Sequence, residues 1–401
     1  MRILIAETGQ HVLEAARYYA RDDHTVILAL EESVKNRPKF FYSRYISHII
    51  NYSSHVNDYF KIKELKKIYD REKIDIFFPF GFDLVTNYIN AISIDENFKM
   101  NTPYQTGIGY WKLSDKDVLY QTVSKTDVRI PKRYGSIKGG IVDLNVKDTN
   151  YPLILKRTRG VGIKNNVRLV WDKAEIDSFV SELSDPNQHS GEFLIQEYIP
   201  GDVFDVGGFA IEGDIFYAVP QRRTVTLPLR GGVAAVNDIF PDETLISLAS
   251  EIIKKSGWTG PFQAEFRWNP RDRSYYLIEV NAKMWGSIPL SLLSNPDILD
   301  IAVCVALGKK SEKSLDFKND IRYRWICSQE ILAISKGDKE DFYEFIKRFF
   351  KKSEYDFSFS DPLPHLIRFL SSLYLIIFRK DTIADALVSR EEHMSLNDLN
   401  K

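Results

Sequence analysis

Two acidic residues in neighbouring runs of the sequence have the arrangement of a metal site. Glu265 lies in one run of alternating apolar residues and Glu279 in the next, and the turn between the runs centres near Asp272. Since side chains alternate between the faces of a strand, such a hairpin would place Glu265 opposite Glu279, with Asn281 on the same face. Two facing carboxylates repel each other unless a cation lies between them. Carboxylate and amide oxygens suit magnesium, which predicts a site for Mg²⁺ or Mn²⁺; the alternative is a solvated polar face.

A basic turn that contains glycine precedes this hairpin in the chain. An apolar run ends in Lys156 and continues into Arg159, Gly160 and Gly162. Glycine lets the backbone approach a phosphate closely, and lysine supplies a compact positive charge for it. The turn therefore indicates a phosphate-binding loop, with an ordinary hairpin loop as the alternative.

The apolar run 193–199 stops abruptly at Pro200 and Gly201. A strand that breaks at such a pair exposes main-chain N–H and C=O groups at its end. Those groups suit recognition of the edge of an adenine base, so the break is a candidate nucleotide contact.

Arginines follow between this break and the hairpin. Arg222 and Arg223 are adjacent, and Arg230 precedes two glycines. A guanidinium group suits a carboxylate or a phosphate, and cationic donors are needed where negative charge develops in acyl transfer. Because adjacent residues of a strand point to opposite faces, only one of Arg222 and Arg223 should face a site. Surface arginines are the alternative.

Taken in order, these segments resemble the ATP-grasp superfamily. The resemblance extends from about Lys116 to Ser287, and the Trp-Gly-Ser sequence that ends there is similar to the carboxylate–amine ligase-like branch, the carbamoyl-phosphate-synthase-like ATP-grasp proteins. It implies an ATP-dependent ligase that activates a carboxylate as an acyl phosphate and couples it to an amine, with release of ADP. The alternatives are phosphorylation of a carboxylate or carbamate without amide formation, and a nucleotide-binding regulator without turnover.

The resemblance also implies a role for each matching residue. Lys283 stands where the family commonly has arginine, which keeps the charge and loses the bidentate fork. For the ribose hydroxyls of ATP, Asp205 is favoured over Asp202. The implied ATP-binding residues are Lys116, Lys156, Arg159, Gly160, Gly162, Gln196, Glu197, Tyr198, Ile199 and Asp205; the implied metal ligands are Glu265, Glu279 and Asn281; and the implied catalytic residues are Arg230, Arg222 and Lys283.

The elements that must position these residues follow an α+β pattern. Strand-like and helix-like runs alternate in the first third, which predicts a parallel, Rossmann-like sheet, and its first turn lacks a dinucleotide-binding glycine motif. Gly81 and Asp83 follow a buried strand and are candidate substrate contacts, because ligands dock at the carboxyl ends of parallel strands. Farther along, Glu212 and Gly213 predict the turn of an antiparallel hairpin. The predicted fold is a Rossmann-like α/β domain at 1–108, an ATP-grasp domain at 109–308 with a lid subdomain at about 118–198, and a helical C-terminal extension at 309–401.

Composition narrows the class of protein. The formal net charge of −1 at pH 7 removes the electrostatic case for binding nucleic acid. Cys304 and Cys327 lack the spacing of a metal site, which favours a reducing cytoplasm. The basic, aromatic tail 345–380 is too interrupted to span a bilayer, and a helix docked on the core is favoured over contact with an anionic membrane. The expected partners are small-molecule carboxylates and amines, and a homodimer stays open.

Overall fold

The computed structural model describes most of the chain. Three of the predicted site residues, Gly160, Gly162 and Arg230, lie outside the described residues. The described residues are 1–7, 10–32, 42–53, 58–104, 107–145, 150–159, 167–183, 192–227, 232–335, 337 and 339–378.

The N-terminal part of the chain is a parallel sheet flanked by helices, as predicted. Its strands are β1 (Arg2–Ala6), β2 (Thr25–Glu31), β3 (His48–Tyr52) and β4 (Ile76–Pro79), and its helices are α1 (Gln10–Arg21), α2 (Asp58–Arg71) and α3 (Phe82–Ile94). The strand order is β3-β2-β1-β4, and every pair is parallel. Ile3 and Ile5 pack with residues of α1, whereas Leu4 packs with residues of α2 and α3. Both faces of β1 are therefore buried, which explains why this strand is an uninterrupted apolar run.

A second sheet, the lid sheet, is antiparallel and has its own core. Its strands are β5 (Arg133–Lys138), β6 (Ile141–Leu144), β7 (Leu153–Arg157), β8 (Val167–Val170) and β9 (Phe193–Glu197), with helix α6 (Lys173–Leu183). The strand order is β6-β5-β9-β7-β8. Ile176 and Phe179 of α6 pack on Leu153, Leu155 and Ile195 of the sheet. The lid sheet falls within the predicted lid subdomain at about 118–198.

The third sheet, the central sheet, holds seven strands. They are β10 (Val203–Ile211), β11 (Asp214–Leu227), β12 (Val233–Ile239), β13 (Gly260–Asn269), β14 (Ser274–Asn281), β15 (Arg322–Arg324) and β16 (Glu354–Tyr355), in the order β14-β13-β10-β11-β12-β15-β16. Helices α4 (Ile108–Ser114), α5 (Lys116–Val123), α7 (Glu243–Ser256), α8 (Ile288–Ser294) and α9 (Ile298–Ala306) accompany it. The predicted turn at Glu212 and Gly213 joins β10 to β11, and both residues have positive φ angles. The predicted α+β class is confirmed.

The C-terminal extension is only partly helical. Its helices are α10 (Ile331–Ile334), α11 (Lys339–Phe349) and α12 (Pro362–Phe378), which follow a π-helical turn at Ile326–Glu330. In contrast to the helical prediction, β15 pairs with β12 and β16 pairs with β15, so the extension completes the central sheet. Arg324 of β15 is fully buried and binds Glu330 of the turn at 2.9 Å. The predicted domain bounds at 108 and 308 stay predictions.

Helix α12 docks on the rest of the protein. Arg17 of α1 contacts Asp361 at 2.8 Å, and Ser372 donates a hydrogen bond to the carbonyl of Cys327 at 3.2 Å. This is the arrangement favoured for the tail over a free membrane-bound helix. Within the described ranges, no individual helix is both long enough and apolar enough to cross a bilayer. Helices α8 and α9 meet the length and apolarity criteria only when they are taken as one segment, and that segment is bent by 104°.

Candidate functional site

The paired carboxylates lie where the alternation of the sequence predicts them. Strands β13 and β14 pair in a register that places Glu265 opposite Glu279 and Gln263 opposite Asn281. Asn281 Nδ2 donates hydrogen bonds to Glu265 Oε1 at 3.0 Å and to Glu279 Oε1 at 3.5 Å. Ala264, on the other face, is fully buried in the core, so the hairpin is a rigid base for the two carboxylates.

Two buried lysines from different elements meet at Glu279. Lys156 Nζ, at the end of β7 in the lid sheet, lies 2.8 Å from Glu279 Oε2, and Lys116 Nζ, at the start of α5, lies 3.3 Å from the same oxygen. Lys156 also donates to the carbonyl of Ile278 at 3.3 Å. Asp115 caps α5 by accepting from the amides of residues 117 and 118, and thereby fixes where Lys116 begins the helix. The lid sheet and the central sheet are thus joined by buried charge.

The electrostatics of the two carboxylates differ although they are neighbours. Burial would raise the pKa of Glu279, but the charges of Lys156 and Lys116 outweigh it and the pKa is lowered. Burial raises the pKa of Glu265; the nearby Arg223 charge opposes this rise, and the negative charge of Glu279 adds to it. The ionised form of Glu265 is therefore disfavoured by its surroundings. A cation placed between the two carboxylates would relieve that cost, so the pair fits a divalent ion.

The donor set also fits magnesium better than a transition metal. Across the described part of the chain, no group of three or more His, Cys, Asp or Glu side chains could hold a metal ion. The candidate ligands are the carboxylates of Glu265 and Glu279 and the side-chain amide of Asn281, and all three offer oxygen atoms. Mg²⁺ accepts such a small set of protein ligands when phosphates and water complete its coordination.

A cavity of about 440 Å³ lies between the lid sheet and the central sheet and opens onto these charges. One part of its lining is apolar and includes Ile154, Leu169 and Ile278. The predicted site residues that line it are Lys156, Gln196, Glu197, Tyr198, Ile199, Glu265, Glu279, Asn281 and Lys283. A larger and more open depression of about 960 Å³ lies beside α7, and its described lining holds none of the predicted site residues.

The break after β9 forms one wall of the cavity. Arg267 Nη1 donates to the carbonyl of Ile199 at 3.2 Å, and its guanidinium carbon lies 5.6 Å from the centroid of the Tyr198 ring. The amide of Glu197 donates to the carbonyl of Lys132 at 2.8 Å. The Arg267 contacts hold the break against the central sheet, and the Glu197 bond ties it to the segment before β5 of the lid sheet. Arg267 shares the face of Glu265 by alternation, and that was the signal by which the sequence could have identified it as a site residue.

The structure selects Arg223, and the prediction that Arg222 faces the site is wrong. Arg223 binds Asp205 at 2.6 Å and Glu265 at 2.9 Å, donates to the carbonyl of Gly232 at 2.9 Å, and lines the cavity. Arg222 lies on the opposite face of β11, where it is exposed and binds Asp202. Alternation along the strand required one arginine inside and one outside, and did not say which.

The prediction that Asp205 holds the ribose hydroxyls of ATP stays a prediction, and in the structure Asp205 is paired with Arg223. Asp205 is fully buried, and both of its carboxylate oxygens accept hydrogen bonds from Arg223. In the sheet it stands opposite Glu265. Its role is to hold Arg223 in place beneath the cavity, because a buried carboxylate of this kind needs a cationic partner.

Arg159 and Lys283 lie at opposite sides of the site. Arg159 is exposed; it binds the Asp115 carboxylate, and its guanidinium carbon lies 5.5 Å from the Trp111 ring centroid. Lys283 lines the cavity and donates to the carbonyl of Met284 at 3.4 Å. Burial lowers the pKa of Lys283, and the carboxylates of Glu7, Glu265, Glu279 and Asp83 oppose that change. Lys283 therefore lines the cavity next to strand β14 and is affected by charges of the N-terminal sheet as well as of the β13–β14 hairpin.

Glu7, which the sequence did not single out, shapes that edge. It follows β1 with a φ of 146°, and its carboxylate lies directly against Gly81, where a Cβ would meet Oε2 at 1.7 Å unless the Glu7 side chain moved. Gly81 and Asp83 begin the segment after β4, next to β1 in the sheet. The strained backbone of Glu7 at a strand end is a feature that collects at functional sites. Gly81 and Asp83 stay candidate substrate contacts.

Solved structures identify the class of fold. The biotin carboxylase of Campylobacter jejuni, solved with β,γ-ATP, has a TM-score of 0.63 at 21% identity, over 80% of this chain and 74% of that one. The L-amino acid ligase of Bacillus licheniformis has a TM-score of 0.58 at 14% identity, over 76% and 74% of the two chains. The N5-carboxyaminoimidazole synthetase of Staphylococcus aureus, solved with ADP, has a TM-score of 0.59 at 13% identity, over 80% of each chain. The fold is the ATP-grasp fold.

A family comparison adds a narrower assignment. Residues 189–329 match the family described as ATP-grasp in the biosynthetic pathway with Ter operon. The match contains strands β13 and β14, Arg223 and most of the π-helical turn, and covers about a third of the chain. Together with the solved structures it supports the ATP-grasp fold. No curated protein sequence matches it at a significant level.

Proposed function

We propose that this protein is an ATP-dependent ligase that joins a carboxylate to an amine through an acyl phosphate and releases ADP. The observation that carries the proposal is the cluster at one end of the cavity, where Lys156 and Lys116 converge on Glu279 beside Glu265 and Asn281. Such a concentration of opposite charges in a partly apolar cavity suits a ligand with a flat apolar end and a strongly anionic end.

ATP has such a flat apolar end and a strongly anionic end, and the cavity has an apolar part and a charged part that match them. The base would lie among Ile154, Leu169 and Ile278, next to the break after β9. The phosphates would reach Lys156 and Lys116, which would exchange the Glu279 carboxylate for phosphate oxygens. Because both lysines are buried, their attraction to phosphate is screened little by water.

Glu265, Glu279 and Asn281 would hold a magnesium or manganese ion. When bound, the ion supplies positive charge that neutralises the phosphates during transfer. The contribution of the chain is to hold the three ligands on a rigid hairpin. Arg223 is fixed below them by Asp205, so it cannot turn away when charge develops nearby.

The reaction would proceed in two transfers. An oxygen of the substrate carboxylate attacks the γ-phosphorus, the bond to the bridging oxygen breaks, and ADP leaves. The amine nitrogen then attacks the acyl carbon, phosphate leaves with the electron pair of the C–O bond, and the nitrogen loses a proton. Lys283 and Arg223 line the cavity beside the transferred group, where cations stabilise the charge of both steps.

The carboxylate substrate would enter between the metal hairpin and the N-terminal sheet. Lys283 lies there, under the influence of Glu7 and Asp83. A positive and a negative set of side chains at one place suits a substrate pair that consists of an anion and an amine. The similar structures include a carboxylase, an amino acid ligase and a synthetase, which supports ligase chemistry as a class and leaves the substrates open.

The test is product formation from ATP with a matrix of carboxylates and amines. We expect ADP, phosphate and amide in equal amounts only when both substrates are present, with the amide identified by mass spectrometry. Carboxylate labelled with ¹⁸O should transfer one label to phosphate, because the acyl oxygen leaves with it. Glu279→Gln is the inactive control. ADP and acyl phosphate without amide would establish the phosphorylation alternative, and tight ATP binding without turnover would establish the regulator.

A further inference from the structure

Helix α12 faces the protein with its polar side and the solvent with its apolar side. Towards the protein, Arg368 donates to Ser328 Oγ at 3.0 Å, and His365 Nε2 lies 2.7 Å from Arg17 Nη2. On the opposite face, five apolar side chains three and four residues apart form a continuous stripe, each 50% to 60% exposed. The stripe consists of Leu363, Leu366, Leu370, Tyr374 and Ile377. A surface helix of a soluble domain has the reverse orientation, so the stripe needs a partner.

Helix α11 and its neighbours add exposed aromatic rings to the same region. Phe350 is 84% exposed and Phe359 is 93% exposed, so these rings project from the surface instead of lining a groove. Phe359 stacks edge-on to Phe357, which in turn contacts the ring of His365 at the start of α12. More than half of the exposed large apolar side chains in the described part of the chain fall within 342–378.

Helices α11 and α12 both pack on the π-helical turn. Arg348 of α11 lies 3.8 Å from Glu330, and Ser372 of α12 bonds the carbonyl of Cys327. Glu330 and Cys327 both belong to the π-helical turn Ile326–Glu330. The apolar stripe of α12 and the exposed rings of 342–359 therefore lie on elements that share one packing partner, and together they are called the C-terminal surface.

Positive charge accompanies this surface. The segment 347–352 has four basic residues and two phenylalanines and no acidic residue. Lys347, Lys351 and Lys352 are exposed, beside the exposed Phe349 and Phe350. Aromatic rings next to lysines are the composition of segments that lie in the headgroup region of an anionic bilayer.

We propose that this C-terminal surface docks the enzyme on a membrane that contains anionic phospholipid. Projecting rings such as Phe350 and Phe359 enter a fluid phase without needing a matching pocket. A two-fold contact between copies would bring the cationic segments of both chains together, which opposes dimerisation through this surface. At seventeen residues α12 is too short to span, so it lies in the plane of the interface. The proposal is independent of the ligase function.

The experiment is flotation of the full chain with lipid vesicles. We expect binding to vesicles of phosphatidylcholine with phosphatidylglycerol, little binding to phosphatidylcholine alone, and weakening by salt. The pair Leu366→Glu and Leu370→Glu should reduce binding about tenfold or more, because each leucine contributes buried apolar area. Lys351→Glu with Lys352→Glu should remove the preference for anionic vesicles. Ile94→Glu, which changes an exposed isoleucine at the end of α3, is the matched control and should bind as the wild type does.

The thermal unfolding midpoint, measured on every variant, shows whether the fold is kept, and none of these residues lines the cavity between the sheets. Equal binding to both vesicle types, or no binding to either, overturns the proposal. Sedimentation equilibrium distinguishes the other partners that could cover the apolar stripe. A wild-type dimer that Leu366→Glu turns into monomers identifies a second copy. A monomer that ignores vesicles leaves the stripe to another protein or to residues 379–401, and the membrane proposal fails in either case.

Discussion

Lys156 Nζ, at the end of β7 in the lid sheet, lies 2.8 Å from Glu279 Oε2 on the β13–β14 hairpin. Lys116 approaches the same oxygen from α5 at 3.3 Å. One carboxylate thus compensates two buried ammonium groups. Since a buried charge without a partner is costly, each of the three side chains depends on the others for stability as well as for chemistry.

Replacing Glu279 should separate stability from activity. Glu279→Gln leaves two buried lysines without their carboxylate, and we expect a loss of about 3–5 kcal/mol in the free energy of unfolding. Adding Lys156→Met should restore part of that loss, because one unpaired charge is removed, yet ADP formation should stay abolished. Urea denaturation and ADP release measure the two effects. Glu251→Gln on α7 is the control and should change neither; near-normal turnover of Glu279→Gln would refute the site.

The adjacent arginines of β11 provide a matched pair. We expect Arg223→Ala to slow turnover by about a hundredfold or more, the scale for loss of a preorganised donor, whereas Arg222→Ala should stay within about twofold of the wild type. Asp205 loses its partner in the first variant, so Arg223→Lys, which keeps a charge, is measured beside it. The readouts are turnover and ATP affinity. Equal effects of the two substitutions on turnover would contradict the prediction that only the arginine facing the cavity contributes to catalysis.

Lys283 should act on the carboxylate more than on ATP. We expect Lys283→Met to raise the KM for the carboxylate and lower kcat, with ATP affinity changed by less than about threefold, because the apolar wall around Ile154 and the lysines at Glu279 lie elsewhere. Lys283→Arg should recover part of the activity, since the charge returns. Calorimetry with ATP is compared with steady-state kinetics. A parallel loss of ATP affinity would place Lys283 on the phosphates.

His365 should make stability depend on pH. Burial, with the charges of Arg17 and Arg368, lowers its pKa to about 4 from 6.5. Between these values the unfolded chain takes up a proton that the folded chain does not, so the free energy of unfolding falls as the pH falls from about 6.5 to about 4. The contribution is up to about 3 kcal/mol. His365→Gln should flatten the profile measured by thermal unfolding.

The position of Glu265 opposite Glu279 could be predicted from sequence because strand alternation fixes which side chains share a face, whereas metal binding by this pair stays a prediction. The same rule left Arg222 and Arg223 undecided, since the answer depends on the register of β11 against β10, which no local pattern sets. The pairing of Asp205 with Arg223 could not be predicted either, because an acid in an apolar strand has the same pattern whether it meets a ligand or an arginine. The predicted cytoplasmic location and the open homodimer stay predictions.

Very short strands, and contacts between residues far apart in the sequence, could not be predicted from local sequence patterns. Strands β15 and β16 have three and two residues, too few for an alternation to be recognised, so the C-terminal extension was predicted as helical throughout. Glu7 gave no signal either, because its proximity to Gly81 at the start of α3 arises from the fold and not from a local pattern. Residues 160, 162 and 230 lie outside the described part, and their predicted roles stay untested.

The two lysines on Glu279 have a consequence for the order in which ligands load. On the proposed function, a divalent ion that arrives alone must compete with two ammonium groups for one carboxylate, and a nucleotide that arrives alone must draw those groups away from it. Each ligand therefore removes an obstacle to the other. Binding should be positively cooperative, and thermodynamic reciprocity requires that the factor by which the ion tightens ATP equals the factor by which ATP tightens the ion.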